Sequence, residues 1–154
     1  MNYWWCNQQH CYEAERDAGV VQASMDMSRT TYRETVGEVV QGDLIVHYKS
    51  KVGVVALSKA QESGTYHDEL PDLGGGYYGF GFRFATRYHA LKRPIRKDDF
   101  VESLSLYVRK NYPLSANGSF KQGYFLSFDL PGYQVVLKAA REPIPPWLLP
   151  PAVK

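Results

Sequence analysis

The sequence predicts an α+β domain: a curled mixed β-sheet, or small β-barrel, flanked by short helices. Three observations lead there. Short runs rich in β-branched and aromatic residues recur along the chain, divided by Gly, Asn and Pro turn signals. Neighbouring runs are joined by few residues, which favours hairpins and so an antiparallel or mixed sheet. Helical spacing appears only in brief stretches between them. The length of 154 residues favours one domain, and a 44% apolar, 14% aromatic composition is enough to bury a core.

The elements follow in order. Tyr3–Asn7 reads as a short aromatic strand, with Trp4 and Trp5 pointing to opposite faces, so that one of them is expected at a pocket or rim. Tyr12–Ala18 reads as a helix of one or two turns closed by Gly19. Val20–Ser28 is strand or loop, and Thr31–Val40 a short helix, before a turn at Gln41-Gly42-Asp43. Leu44–Tyr48 and Val52–Ser58 form a hairpin across Lys49-Ser50-Lys51. Residues 61–76 are polar and glycine-rich and read as a loop. Tyr77–Ala90 alternates like a long strand. Ile95–Lys110 has helical apolar spacing, with Asp98 and Asp99 placed to suit the helix dipole. Asn117-Gly118 marks a turn, and Gly123–Leu130 and Tyr133–Lys138 read as closing strands around Pro131-Gly132. The tail EPIPPWLLPPAVK holds five of nine prolines and fits neither regular helix nor central strand. The expected organisation is therefore a domain over 1–140 and a proline-rich linker over 141–154.

Net charge is only +2, but it is unevenly spread. Residues 83–121 carry nine bases against three acids, whereas the remainder carries nine against thirteen. A basic segment on a nearly neutral protein suits an anionic partner. The start lacks the basic and apolar regions of a secretory signal, and no window approaches a membrane span. A cytoplasmic protein with Cys6 and Cys11 as free thiols is expected, and Asn117-Gly118-Ser119 reads as a turn rather than a glycosylation site.

Chemical motifs are sparse. Gly74, Gly76 and Gly79 have dinucleotide-turn spacing, but such a turn needs a strand before it and a helix after it. Here a loop precedes and an aromatic strand follows, so the glycines more plausibly let backbone pass close to something bulky or begin a bent strand. Cys6, His10 and Cys11 cluster without a second ligand pair, and His47, His67 and His89 are scattered. No zinc-protease, hydrolase or P-loop motif is present, and neither catalytic residues nor a metal or cofactor are expected. What remains is aromatic density beside basic loops, including 12 tyrosines suited to stacking on bases.

The segments NYWWCNQQ, DAGVVQAS, GDLIVHYKSKVGVVALS, LGGGYYGFGFRF, PIRKDDF and NGSFKQGYFLSF, in that order, resemble an EVE domain. This is a member of the PUA-like group, close in fold to the YTH readers of methylated adenine in RNA. The KQGY turn is most similar to the EVE-like modules of prokaryotic modification-dependent restriction proteins. The resemblance covers roughly residues 2–138. It implies a pocket for one nucleobase turned out of its strand. Asn7, Gln8 and Gln9 would supply polar contacts, and Ser50 would line the site. Val21 stands where YTH readers have a tryptophan, followed by Gln22, so the stacking ring must come from elsewhere, with Trp5, Tyr48 and Tyr66 as candidates. Tyr66 or His67 would form another wall, Leu73 an apolar floor, and the glycine run a lip. Lys121 and Gln122 would approach the nucleotide, and Lys49, Lys51, Arg96, Lys97 and Lys121 would hold phosphates.

The function so implied is a non-catalytic DNA reader of methylated or hydroxymethylated cytosine, or of methylated adenine. It would be the targeting domain of a restriction system, joined to a nuclease or ATPase effector. An RNA-binding module of the same fold is the alternative. A small enzyme or ligand-binding barrel using Cys6 or His47, and a plain structural domain, are the remaining readings.

Overall fold

The computed structural model describes residues 1–25, 34–74 and 78–151. The end of the Val20–Ser28 run, the start of the expected Thr31–Val40 helix, and Gly76 and Tyr77 lie outside the described residues.

The fold is mixed α+β, with a curled half-barrel sheet and few helices. Strand β1 (Tyr3–Asn7) runs to the expected residue, as does helix α1 (Tyr12–Ala18). Gly19 ends that helix at φ 70°, a left-handed conformation that an L side chain resists. Strand β2 (Val20–Ser24) follows, then a 3-10 turn at Glu34–Glu38. Strands β3 (Leu44–Lys49) and β4 (Gly53–Ala60) form the expected hairpin.

Four of the expected elements need correction. Residues 61–76 are not all loop, because Thr65–Leu70 forms strand β5. Its side chains are exposed up to Leu70, so it shows no alternation to read. The long strand, β6 (Gly79–Ile95), continues past Ala90 through Pro94. Its pairing with β4 breaks register between Ala90 and Ile95, which is where a residue without an N–H is tolerated. Ile95–Lys110 is not one helix: Ile95 ends β6, a 3-10 turn covers Lys97–Asp99, and α2 spans Val101–Ser105. Phe100, at φ −143°, interrupts any continuous helix there. Finally, Tyr133–Lys138 lies in helix α3 (Leu130–Ala139), after strand β7 (Phe125–Phe128). The Asp129 carboxylate accepts the Gly132 N–H at 2.8 Å, and Pro131 sits in the first turn, where its missing N–H costs nothing.

The strand order is β2-β6-β4-β3-β1-β7, with β5 on β6. β1 pairs parallel with β3 and antiparallel with β7, and the other pairings are antiparallel. The end of β6 nearer Gly79 carries β2 and β5, and the end nearer Ile95 carries β4, so one long strand bridges two parts of the curl. Gly81 allows this: a Cβ there would lie 2.1 Å from the Ala23 carbonyl oxygen on β2.

The faces of β1 feed two cores. Trp5 packs with Leu44, Val46, Leu126 and Phe128 under α2 and α3, and Trp4 packs with Val21, Ile45, Phe84 and Phe125. Their exposures are 0% and 6%, so neither tryptophan stands at a rim, contrary to expectation. The proline-rich tail packs on the domain through Leu148. Leu148 is buried in the Trp5 core, the Tyr133 hydroxyl donates to its carbonyl at 2.7 Å, and Arg87 lies 4.1 Å from the Trp147 ring centre.

Candidate functional site

A cleft of about 620 Å³ opens at one end of the sheet. Four chain segments build it. Asn7 and Gln9 come from the end of β1, and His10 and Cys11 from the turn into α1. Tyr48, Ser50 and Lys51 come from the end of β3 and its turn to β4. Residues Ser119 to Gln122, with Tyr124, form the opposite wall, and Lys97 closes the side. The parallel pairing of Asn7 with Tyr48 brings the first two segments side by side.

The site gathers Asn7, Gln9, Tyr48, Ser50, Lys51, Lys97, Lys121 and Gln122 from the sequence-based assignment. Three lysines line it, no carboxylate does, and none of these lysines is in an ion pair among the described residues. Such a lining favours anions, although the buried Glu15 carboxylate lies behind it, bonded to Tyr124. Lys51 also holds a left-handed backbone at φ 68°. Lys49 instead pairs with Glu13 at 2.9 Å, which lowers the Glu13 pKa. Arg96 is exposed and does not line the cleft.

Asn7 is engaged on both ends. Its Oδ1 accepts the Trp5 indole N–H at 2.9 Å, and its Nδ2 donates to the carbonyls of Lys121 (3.0 Å) and Gly123 (2.6 Å). It therefore latches the far wall rather than presenting a free amide. That wall is a small hairpin: Leu114 bridges Phe120, and the Lys121 N–H donates to the Pro113 carbonyl at 2.7 Å.

Gln8 is wholly buried, in a polar network behind the cleft. Its amide nitrogen donates to Glu15 at 2.7 Å and Tyr88 at 3.1 Å, and its oxygen meets His47 Nδ1 at 2.6 Å. An amide oxygen only accepts, so Nδ1 carries the proton and Nε2 accepts from the Ser58 hydroxyl at 2.6 Å. The Thr86 hydroxyl donates to Ser58 in turn, and Tyr124 donates to Glu15 at 2.7 Å. Burial lowers the His47 pKa to about 3 and, with the Glu15 charge nearby, raises the Tyr88 and Tyr124 phenols well above their usual range. This network holds polar groups in the core but leaves Gln8 no approach to a guest.

The other assigned residues lie elsewhere. Val21 is in the Trp4 core, and Gln22 is buried with its amide nitrogen donating to the Pro71 carbonyl at 2.8 Å. Leu73 is half-buried in the following loop. Tyr66 is 54% exposed on β5, edge-on to Phe82. His67 stands beside it, its ring bonded to the Thr65 hydroxyl at 3.0 Å. None of these lines the cleft. Gly74 and Gly79 have φ values of 103° and 95° and do not line it either, so the described glycines serve backbone turns rather than its lip.

Sequence reasoning did not assign His10, Cys11, Ser119, Phe120 or Tyr124 to the site. The Asn117-Gly118 turn was the available signal, since it marks a hairpin whose strands flank the basic Lys121. Among the described residues, no group of three His, Cys, Asp or Glu could hold a metal ion, and no helix is long and apolar enough to cross a membrane.

No protein-family model matches the chain, and no curated protein matches it. Solved structures do. A crystal structure of a Pseudomonas syringae protein is similar at TM-score 0.54 and 11% identity, covering 88% of this chain and 97% of that one. A Pseudomonas putida crystal structure is similar at 0.53 and 11%, covering 89% and 98%. An NMR structure of a Rhodopseudomonas palustris protein is similar at 0.52 and 12%, covering 91% and 93%. At such identities the likeness shows a shared fold alone, one that spans nearly the whole of each chain.

Proposed function

We propose that this chain is a non-catalytic nucleic-acid-binding module that takes one modified nucleobase, turned out of DNA, into the cleft between β1, β3 and the 114–120 hairpin. In this reading it is an EVE-like member of the PUA-like group and the targeting part of a modification-dependent restriction system. One observation carries the proposal: among the described residues, the cleft of about 620 Å³ joins lysines outside any ion pair to amides and aromatic walls, with no acid in its lining. Its size lies in the usual range of ligand pockets, roughly 300–1,000 Å³.

The energetics fit the task. Extruding a base costs a few kcal/mol, least where pairing is already weak. Stacking on an aromatic ring returns roughly 1–3 kcal/mol, and contacts of lysines with phosphates add a salt-dependent part. Gln9 and Gln122 carry amides that can both donate to and accept from a base edge. A methyl group gains about 0.8 kcal/mol where it enters an apolar niche.

The test is a binding panel at one fixed salt concentration. Matched duplexes carry 5-methylcytosine, 5-hydroxymethylcytosine, N6-methyladenine or no modification, with RNA of the same sequence alongside. Tighter binding to one modified duplex is expected. Equal affinity for all of them would refute base reading, and a preference for RNA would move the partner to that polymer.

A further inference from the structure

We infer that Phe120 is the ring on which the guest base stacks, with Trp5 as its backing, and that the guest is a phosphorylated nucleotide unit rather than a neutral nucleoside. The inference rests on the nucleobase reading above and names its stacking partner. None of the rings assigned from sequence can serve freely. Trp5 has no exposed surface, Tyr48 is 6% exposed, and Tyr66 stands on β5 away from the cleft.

Phe120 is half-buried and lines the cleft. Trp5 takes one face of it, with ring centres 4.9 Å apart and planes within 12°. Tyr48 buttresses it at 4.7 Å, and Phe100 lies at 6.0 Å. The hairpin bridge to Leu114 and the Asn7 bonds to the following segment fix the backbone on which the ring is carried. A platform held this way loses little freedom when a flat guest settles on it. The Lys97 ammonium lies 5.6 Å from the Phe120 ring centre, over a π face that attracts it. An incoming base replaces that contact, and Lys97, with Lys51 and Lys121, is then close at hand for the phosphate of the same nucleotide.

The test titrates the full chain with deoxycytidine and deoxyadenosine monophosphates, their base-methylated forms and the matching nucleosides, followed by NMR. Base protons should move upfield from the ring current, and the monophosphates should bind more tightly than the nucleosides. Phe120→Leu should weaken binding about tenfold or more, while Phe120→Trp keeps it, because stacking needs a π face and not a particular ring. Thermal unfolding checks that each variant is folded, and if Phe120→Leu is not, the wild-type shift and Phe120→Trp decide. No binding at millimolar monophosphate, no upfield shift, nucleosides binding as well as monophosphates, or full affinity in a folded Phe120→Leu chain each overturns the inference. Upfield shifts with no preference for methylated forms would uphold Phe120 while sinking the modified-base reading.

Discussion

Asn7 receives the indole N–H of Trp5 at 2.9 Å and so ties the buried core to the wall of the cleft. The same carboxamide holds the Lys121 and Gly123 carbonyls. Asn7 is thus a positioning residue. Asn7→Ala leaves these groups without their partner and should lower stability by about 1–3 kcal/mol. Asn7→Asp keeps an acceptor for Trp5 but turns a carboxylate toward two carbonyl oxygens, and should cost more. Urea unfolding measures both, alongside affinity for modified and unmodified DNA. Affinity should fall for both substrates alike. Unchanged stability with lost discrimination between bases would make Asn7 a reader instead.

Lys51 sits at φ 68° in the β3–β4 turn, where a left-handed L residue costs roughly 1–2 kcal/mol. Glycine relieves that strain but gives back part of it as chain entropy, about 0.5–1 kcal/mol. Lys51→Gly should therefore stabilise the fold by up to about 1 kcal/mol in denaturant unfolding. It should also weaken DNA binding and reduce the slope of log affinity against log salt by about 1, as expected for one lost phosphate contact. A more stable variant with an unaltered salt slope would leave Lys51 without a role in binding.

What could be read from sequence follows physical rules. β1 and α1 are legible because Gly19 suits the left-handed cap and a short, uninterrupted aromatic run favours a strand buried on both faces. β5 is not, because a strand exposed over Thr65–Glu69 carries no pattern of burial. Val135-Val136 reads as strand, yet the Asp129 cap and the burial of Tyr133 and Val136, three residues apart, make it helix. At the site, Lys51, Lys97 and Lys121 line one cleft, whereas Lys49 pairs with Glu13 and Arg96 lies outside it, because the charge of a residue does not say which face it occupies. For Phe120 the sequence offers only the Asn117-Gly118 turn, because its surroundings come from a ring at the far end of the chain, Trp5. Gln8 and Gln22 are equally opaque: a buried amide and a base-reading amide look alike until their partners are known.

Leu148 tests whether the proline-rich tail belongs to the fold. It is buried among the side chains of the Trp5 core, beside the Tyr133 hydroxyl that holds its carbonyl. Leu148→Ala removes that packing and should lower stability by about 2–5 kcal/mol. Denaturant or thermal unfolding reads it directly. A loss well under about 1 kcal/mol would mean that the segment detaches without consequence, as a linker would.

His47 sets a pH dependence that can be worked out in sign. Its folded pKa is about 3, against 6.5 for the free side chain, because full burial penalises the imidazolium and both ring nitrogens already have neutral partners. The unfolded chain therefore binds a proton below pH 6.5 that the folded chain refuses. The contribution of neutral His47 is fully present above pH 6.5 and declines as pH falls toward about 3. The slope approaches about 1.4 kcal/mol per pH unit well below 6.5, so His47 should lower stability by about 1.7 kcal/mol between pH 6.5 and 5. His47→Gln can still meet Gln8 and Ser58 but cannot titrate. Denaturant unfolding across that range should show the slope in the wild-type chain and a flatter profile in the variant. Equal slopes in the two would mean that His47 becomes charged inside the fold and that the network opens to receive the proton.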